Sequence, residues 1–237
     1  MFSGINTKTN VMKQVILFVF FLFLMQTARS QDGKISMNLT NFTEVKAFDG
    51  ISVNLIKSNE NKAVITGANT DKVNFVNSDG ILKIRMEITK IFSGYRTFVD
   101  LYYTQNLLII DVNEDARIGS DDTFNQEVIE LKAQEGGELE IKATVEQMLI
   151  RSVSGGVITT TGESDVQDVA INTGGSYLGK DFKTKFTTVN VNAGSSAEIF
   201  ASDYVKATVK AGGEVLVFGD PAKMDEKTVF GGKVTRM

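Results

Sequence analysis

Apolar and polar residues alternate with a fixed long period in the second half of the chain, from about Val128 to Met237. A glycine-centred turn returns every 18 to 20 residues, and the first residues of the turns are 19, 19, 20, 18 and 19 apart. A constant period of this size indicates a stacked repeat architecture. The turns are Gly136-Gly137, Gly155-Gly156, Gly174-Gly175, Gly194-Ser195, Gly212-Gly213 and Gly231-Gly232.

Four columns of mostly apolar residues flank these turns, at positions −5, −3, +3 and +5 from the first residue of each turn. Polar residues dominate positions −4 and −2 between them. Alternation with a period of two predicts two strands per repeat, each with one buried face. The four columns hold Leu131, Ile150, Val169, Val189 and Ala207; Ala133, Ser152, Ile171, Val191 and Val209; Leu139, Ile158, Tyr177, Ala197 and Val215; and Ile141, Thr160, Gly179, Ile199 and Val217.

The repeat favours an all-β fold, a parallel β-helix with one coil per repeat. Each column recurs in the same chain direction, so a strand most simply stacks on its copy in the next coil, about 4.8 Å away. We predict about six glycine-cornered coils of about 19 residues within 111–237. Glycine suits a corner where φ is positive or where a Cβ would crowd the next coil. An antiparallel sandwich or barrel is the alternative.

Shorter strand signals fill residues 41–110, which we predict to cap the β-helix or to form its first wide coils. Alternation from Ile51 to Leu55 is typical of a half-buried strand. Ser78-Asp79-Gly80 predicts a hairpin turn, since Asp-Gly tolerates positive φ. Residues 87–97 are irregular and should pack Ile91, Phe92 and Tyr95 outside the core. Asn113-Glu114-Asp115 stands where later repeats have glycine.

The N-terminus is typical of a secretory signal peptide over residues 1–30, followed by a loose polar leader over 31–40. Lys8 and Lys13 precede an unbroken apolar run, Val15 to Leu24, and cleavage is predicted after Ser30. The run is shorter than the roughly 20 residues that a membrane span needs. An uncleaved anchor is the alternative, and either Met1 or Met12 could begin the protein.

Composition excludes several classes of function. The chain has no Cys and no His, so it lacks disulfides, thiolate nucleophiles and the commonest general base. Its formal net charge is −4. The only charged residues in 1–30 are Lys8, Lys13 and Arg29, so removal of that segment lowers the net charge to −7. An acidic chain is a poor partner for nucleic acid and suits a soluble extracytoplasmic protein.

Three blocks of sequence resemble the head GIN domain family of autotransporter adhesins, whose biochemistry is unassigned. They are Phe48-Asp49-Gly50-Ile51-Ser52-Val53-Asn54-Leu55, then Asp79-Gly80-Ile81-Leu82-Lys83-Ile84, and the glycine repeats that close with Phe218-Gly219-Asp220-Pro221 and Gly231-Gly232. The resemblance covers about residues 41–237 and implies a single right-handed β-helical domain at the cell surface or in the periplasm. The family's repeats often have Gly-Ser-Gly where this chain has Gly-Gly. No catalytic residue is carried over by the resemblance.

Three groups of side chains are candidates for chemistry, and none leads us to assign a catalytic, cofactor or metal site. Acidic residues between 111 and 122 could bind Ca²⁺ through carboxylate oxygens. Glu138, Glu198 and Glu214 recur near the turns and could serve a polysaccharide-cleaving enzyme. Four tyrosines could stack on sugars. The acidic residues are Asp111, Glu114, Asp115, Asp121 and Asp122, and the tyrosines are Tyr95, Tyr102, Tyr103 and Tyr177.

The sequence therefore predicts a secreted or cell-envelope β-helix that is a non-enzymatic binding or structural protein, in the manner of an adhesin. Its partner would be a cell-surface glycan or a matrix protein, with no nucleic acid, no cofactor and at most a peripheral contact with membrane. The alternatives are a polysaccharide lyase or hydrolase, and a periplasmic scaffold without an external ligand.

Overall fold

The computed structural model describes residues 33–237, so the predicted signal peptide lies outside the described residues. The described chain is nearly all β, with 65% strand, and its only helices are three short 3-10 turns, Thr70–Lys72, Ile88–Lys90 and Gly94–Arg96. The strands are β1 (Ile35–Asn38), β2 (Glu44–Ala47), β3 (Ser52–Lys57), β4 (Lys62–Gly67), β5 (Val73–Ser78), β6 (Ile81–Met86), β7 (Thr97–Tyr103), β8 (Ile109–Val112), β9 (Arg117–Gln134), β10 (Glu138–Val153), β11 (Val157–Ile171), β12 (Ser176–Leu178), β13 (Phe182–Val191), β14 (Ser196–Phe200), β15 (Tyr204–Lys210), β16 (Glu214–Phe218), β17 (Lys223–Val229) and β18 (Lys233–Arg236).

Parallel pairing between successive repeats builds a β-solenoid of about seven turns. β10 pairs in parallel with β9 on one side and with β11 on the other. The pairing joins equal repeat positions, so Leu139 pairs with Ile158, and Ile158 pairs with Tyr177. The predicted β-helix is confirmed, and the antiparallel sandwich or barrel is wrong.

The columns predicted to face inward form the core. All twenty residues of the four apolar columns are buried. Positions −4 and −2 are half-buried or exposed, from Lys132 and Gln134 to Thr208 and Lys210. The hydrophobic core of the described residues extends from Phe42 to Val217, so residues 31–237 include all of it.

The two positions of each glycine pair require glycine for different reasons. The residue before the pair and the first glycine both have positive φ, 52° at Ser154 and 77° at Gly155, and the Gly156 N–H donates to the Val153 carbonyl at 3.1 Å. This is a two-residue type I′ turn. The second glycine has no room for a side chain, since a Cβ on Gly156 would lie 2.3 Å from the Ala133 carbonyl oxygen. Both predicted reasons for glycine are confirmed.

The same turn occurs earlier in the chain, without a glycine pair. Glu114 and Asp115 have φ of 53° and 57°, so this corner is built from acidic residues, as their place in the repeat predicted. Asp49 and Gly50 form a further corner between β2 and β3. Backbone N–H groups link the turns into a ladder, beginning with a 2.8 Å bond from Gly50 to the Glu114 carbonyl. The first coil of the solenoid is therefore β2 and β3.

The N-terminal cap is not built in sequence order. β6 pairs in parallel with β2, and β7 with β3, so the later strands β6 and β7 lie outside the first coil. β5 and β4 then pair antiparallel with β6 and β7. The prediction of a loose leader is wrong for Ile35–Asn38. These residues form β1 against β4, because the free edge of β4 offers them backbone hydrogen-bond partners. The predicted hairpin between β5 and β6 is confirmed.

Within residues 33–237 no helix has the length and hydrophobicity of a membrane span.

Candidate functional site

The acidic residues between 111 and 122 are not brought together. Asp111 is buried beside β2, Asp115 lies at a corner, and Asp122 caps the backbone N–H of Lys57 at 2.8 Å. Asp121 and Asp122 belong to a bulge in β9, where the pairing with β10 shifts register. Among the described residues no group of three or more acidic side chains could hold a metal ion. The Ca²⁺ candidate therefore has no support in the structure.

The three glutamates that recur near the turns, Glu138, Glu198 and Glu214, are also dispersed. The column of Glu138 continues through Val157, Ser176 and Ser196 to Glu214, so these two carboxylates are four rungs, about 19 Å, apart. Glu198 lies beside Glu214 on the adjacent rung, two positions along the strand. Glu138 pairs with Arg117 at 3.0 Å, and Glu214 with Lys233 at 2.8 Å. Only Glu198 and Glu214 come near each other, and Glu214 is held in an ion pair.

Two of the four tyrosines proposed to stack on sugars lie in the core. Tyr177 is fully buried and its hydroxyl bonds Thr160 and Gln167 at 2.7 and 2.6 Å; burial raises its pKa. Tyr103 is buried against Phe124, and burial raises its pKa to about 12. Neither ring can meet a sugar, and Tyr102 is half-buried under Lys62. The exposed Tyr95 remains, and its hydroxyl donates to Asp115 at 2.9 Å.

A polar groove of about 400 Å³ crosses several coils on the outward −4 and −2 columns. Parallel pairing aligns Lys46, Asp111, Lys132, Arg151 and Ala170 on consecutive rungs of one column. Because rungs are about 4.8 Å apart, side chains from distant parts of the sequence lie side by side. The lining residues are Lys46, Asp111, Lys132, Gln134, Arg151, Ser152, Val153, Ala170 and Asn172.

Ion pairs hold the charged side chains of this groove in place. Arg151 contacts Asp168 at 3.1 Å and also donates to the carbonyls of Ile150 and Asp168. Lys132 pairs with Glu130 at 3.1 Å. Such pairs between half-exposed groups contribute little to stability. Their effect is to orient the cations along the groove.

Asp111 forms the floor of the groove. It is 3% exposed and accepts hydrogen bonds from Asn113 and Gln134 at 3.0 and 3.1 Å. Lys46 contacts Asp111 at 3.3 Å and Glu44 at 2.9 Å. Burial alone lowers the pKa of Lys46, but the hydrogen bond to Glu44 and the charge of Asp111 outweigh it, so the pKa is raised. Lys46 therefore stays charged at the rim.

A second groove, of about 420 Å³, lies where the strands bend on the far side of the coils. Its walls include Glu163, Asp165, Lys183, Lys185 and Phe200. Lys185 and Asp165 form an exposed ion pair at 2.7 Å.

The fold and the groove define a class of protein: a parallel β-solenoid with an extended polar outer face. A family model described as "Putative auto-transporter adhesin, head GIN domain" matches residues 41–221. The chain belongs to this family, as the three sequence blocks indicated. No curated protein matches the chain.

Solved structures share the fold at low sequence identity. A structure titled as a putative adhesin from Bacteroides fragilis has a TM-score of 0.78 at 11% identity, covering 86% of this chain and 96% of that one. One titled as a putative adhesin from Parabacteroides distasonis has a TM-score of 0.67 at 17% identity, covering 86% and 96%. One titled as a putative lipid binding protein from the same species has a TM-score of 0.65 at 14% identity, covering 88% and 98%. These likenesses show the fold.

Sequence reasoning missed the groove. Its members are single Lys, Arg, Asp and Gln residues spread from Lys46 to Asn172, without a motif. The only signal for the groove in the sequence was the repeat, which places Lys132 and Arg151 in the same outward column. Lys46 and Asp111 precede the glycine repeats, so their place in that column required the three-dimensional pairing of β2 with β8 and of β8 with β9.

Proposed function

We propose that the chain is a non-enzymatic binding protein of the cell envelope, located outside the cytoplasm, that engages a cell-surface glycan or a matrix protein. Membership in an adhesin family supports this proposal. The predicted signal peptide supports the location.

The observation that carries the proposal is the polar groove over the aligned column of Lys46, Asp111, Lys132 and Arg151. Carboxylate, amide and guanidinium groups meet there on adjacent rungs, and each is already oriented by a neighbour. Groups oriented before binding lose less conformational entropy when a ligand arrives. A flat β-solenoid face with such a groove suits an extended ligand that lies across several coils.

The test is a screen of purified residues 31–237 against immobilised glycans and matrix proteins. Lys132→Ala combined with Arg151→Ala should weaken binding of a positive ligand at least about tenfold, since each removes an oriented hydrogen-bonding cation. Lys210→Ala combined with Lys227→Ala removes the same charge from the outward −2 and −4 columns, further along the solenoid, and should leave binding intact. Equal losses in both double variants would place the ligand elsewhere.

The same screen separates the alternatives. Release of fragments from an acidic polysaccharide, lost in Glu138→Gln or Glu214→Gln, would favour the enzyme and overturn the proposal. Absence of any ligand would favour a scaffold.

A further inference from the structure

Among the described residues, the most exposed cluster of apolar side chains, as distinct from isolated exposed residues, lies in the loop between β6 and β7. Ile88 is 86% exposed, Phe92 and Tyr95 are each 57% exposed, and Phe98 is 50% exposed. Ile91, between them, is 41% exposed. Apolar patches of this kind on a soluble domain mark contact surfaces. We call residues 87–98, which are this loop and the first two residues of β7, the apical loop.

The apical loop lies at a corner near the N-terminal end of the solenoid, and the connection between β4 and β5 lies beyond it, where the Ala68 N–H donates to the Arg96 carbonyl at 2.8 Å. The corner of the first coil is Asp49-Gly50, which bonds the Glu114 carbonyl in the next coil. On the opposite side of this corner, the Gly94 N–H donates to the Asp49 carbonyl at 3.0 Å. The loop therefore continues the ladder of turns beyond the first coil. Phe230 occupies the last corner of the ladder, seven rungs or about 34 Å from Asp49.

The fold holds the loop in one shape. The buried carboxylate of Asp49 accepts hydrogen bonds from the backbone N–H groups of Met86 and Phe92 at 3.0 and 3.3 Å. Gly94 fits tightly, since a Cβ there would lie 2.5 Å from the Asp49 carbonyl oxygen. Phe92 has φ of 57°, which is unusual for a bulky residue. A strained, exposed aromatic residue held by a buried carboxylate indicates a function for that position.

The chain segment that carries the loop has a positive net charge, although the carboxylates of Asp49 and Asp115 contact the loop from other elements. Residues 70–98 contain five cations and three carboxylates, a net charge of +2, whereas residues 33–237 contain 22 cations and 28 carboxylates. Lys90 and Arg96 lie within the loop and form no ion pair among the described residues. The cations of this end are Lys72, Lys83, Arg85, Lys90 and Arg96.

We infer that the apical loop inserts into the surface of an anionic lipid membrane. Ile88, Ile91 and Phe92 would enter the boundary between headgroups and acyl chains, with Tyr95 at headgroup depth, where amphipathic rings are favoured. Lys90 and Arg96 would contact the anionic headgroups. The acidic remainder of the chain would be repelled, so the chain would contact the membrane through this corner. Charge and apolar tip together favour lipid over a protein partner.

The absence of tryptophan from the sequence allows a direct test. Residues 31–237 are used, because they include the whole described core and exclude the apolar run 15–24, which would itself enter lipid. Phe92→Trp and Phe230→Trp each introduce a single tryptophan in place of an exposed phenylalanine. With vesicles of phosphatidylglycerol and phosphatidylcholine, the emission of Phe92→Trp should move to shorter wavelength, and that of Phe230→Trp should not.

Vesicle flotation supplies the second measurement. Ile88→Ser combined with Phe92→Ser should lower the bound fraction at least about tenfold, since each change removes a large apolar side chain that would enter the lipid. Phe230→Ser is the matched control and should float like the parent. Lys90→Glu combined with Arg96→Glu should reduce binding to phosphatidylglycerol vesicles. Thermal melts check that every variant is folded.

The inference is overturned if Phe92→Trp shows no spectral change at any phosphatidylglycerol content, or if the double variant Ile88→Ser with Phe92→Ser loses no more binding than Phe230→Ser. Either result would leave the loop as a surface for a protein partner. Binding to vesicles should be independent of the polar groove. The double variant Lys132→Ala with Arg151→Ala should therefore float like the parent.

Discussion

Gly156 lies directly against the backbone of Ala133 in the preceding coil, where a Cβ would come within 2.3 Å of the carbonyl oxygen. Its neighbour Gly155 has no atom within 4 Å of the same test position, but its φ is 77°. The two glycines of one corner are thus required by packing in one case and by backbone conformation in the other.

This difference predicts unequal costs of substitution. Gly156→Ala forces two coils apart and should destabilise by about 3 kcal/mol, the upper range for overpacking a rigid site. Gly155→Ala should cost about 1 kcal/mol, the penalty for an L-residue with positive φ. Urea unfolding of both variants measures the difference. Equal costs would mean that stacking of the coils does not require the second glycine.

A buried charge tests the inward columns. Val191 is 1% exposed and its neighbour Asn190 is exposed. Val191→Asp should destabilise by several kcal/mol, because an unpaired carboxylate would be buried. Asn190→Asp should change the free energy of unfolding by less than about 0.5 kcal/mol, as is usual for surface substitutions. Similar urea midpoints for the two variants would contradict the register.

The Glu114 carboxyl should give stability a pH dependence. Its pKa is raised above the ordinary 4.5 by partial burial, by the charge of Asp49 and by a hydrogen bond to Asp49. Because the pKa is raised in the folded state, the contribution of Glu114 to the stability of the fold is fully present below the ordinary pKa. This contribution is lost as pH rises through the raised value. The protein should therefore be less stable at pH 7 than the Glu114→Gln variant, with no such difference at pH 4.

Melting temperatures between pH 4 and pH 7 measure this effect. Glu127→Gln replaces an exposed carboxylate in β9 and should follow the parent at every pH. A Glu114→Gln profile parallel to that of the parent would show that Glu114 ionises without cost in the folded chain.

Charges at inward positions should prevent further stacking on the last described rung. Glu226 continues the column of the buried Ala207, and Arg236 continues that of the buried Val217. An open sheet edge invites pairing with another chain, and inward-pointing charges oppose it. Glu226→Val combined with Arg236→Val should therefore produce end-to-end oligomers, measured by light scattering after gel filtration. The control, Lys227→Val with Thr235→Val, changes outward neighbours and should leave the mass unchanged. An unchanged mass in both would mean that these charges do not protect the edge.

Local chemistry made the repeat predictable. Glycine pairs at a constant spacing and apolar residues at alternate positions are direct consequences of tight corners and a narrow core. They identify Val191 as inward and Asn190 as outward without any coordinates. The Asp79-Gly80 hairpin was predictable for the same reason, since its turn depends on neighbouring residues.

The candidate sites were not predictable in the same way. Tyr177 and Asp111 appear as available side chains in the sequence, but one fills the core and the other is the floor of a groove. Burial of a polar side chain depends on the partners that neighbouring coils bring to it, such as Thr160 for Tyr177. The leader segment Ile35–Asn38 became a strand only because β4 presents a free edge.

The sequence by itself determined the solenoid, its register and its corners, because these follow from spacings within about 20 residues. The tertiary structure alone decided that β6 and β7 lie outside the first coil, that Lys46 joins the column of Lys132 and Arg151, and that the apical loop lies at the corner beside Asp49. Those arrangements depend on pairing between strands far apart in the chain. Nothing in the local pattern of residues specifies which distant edge a strand will join.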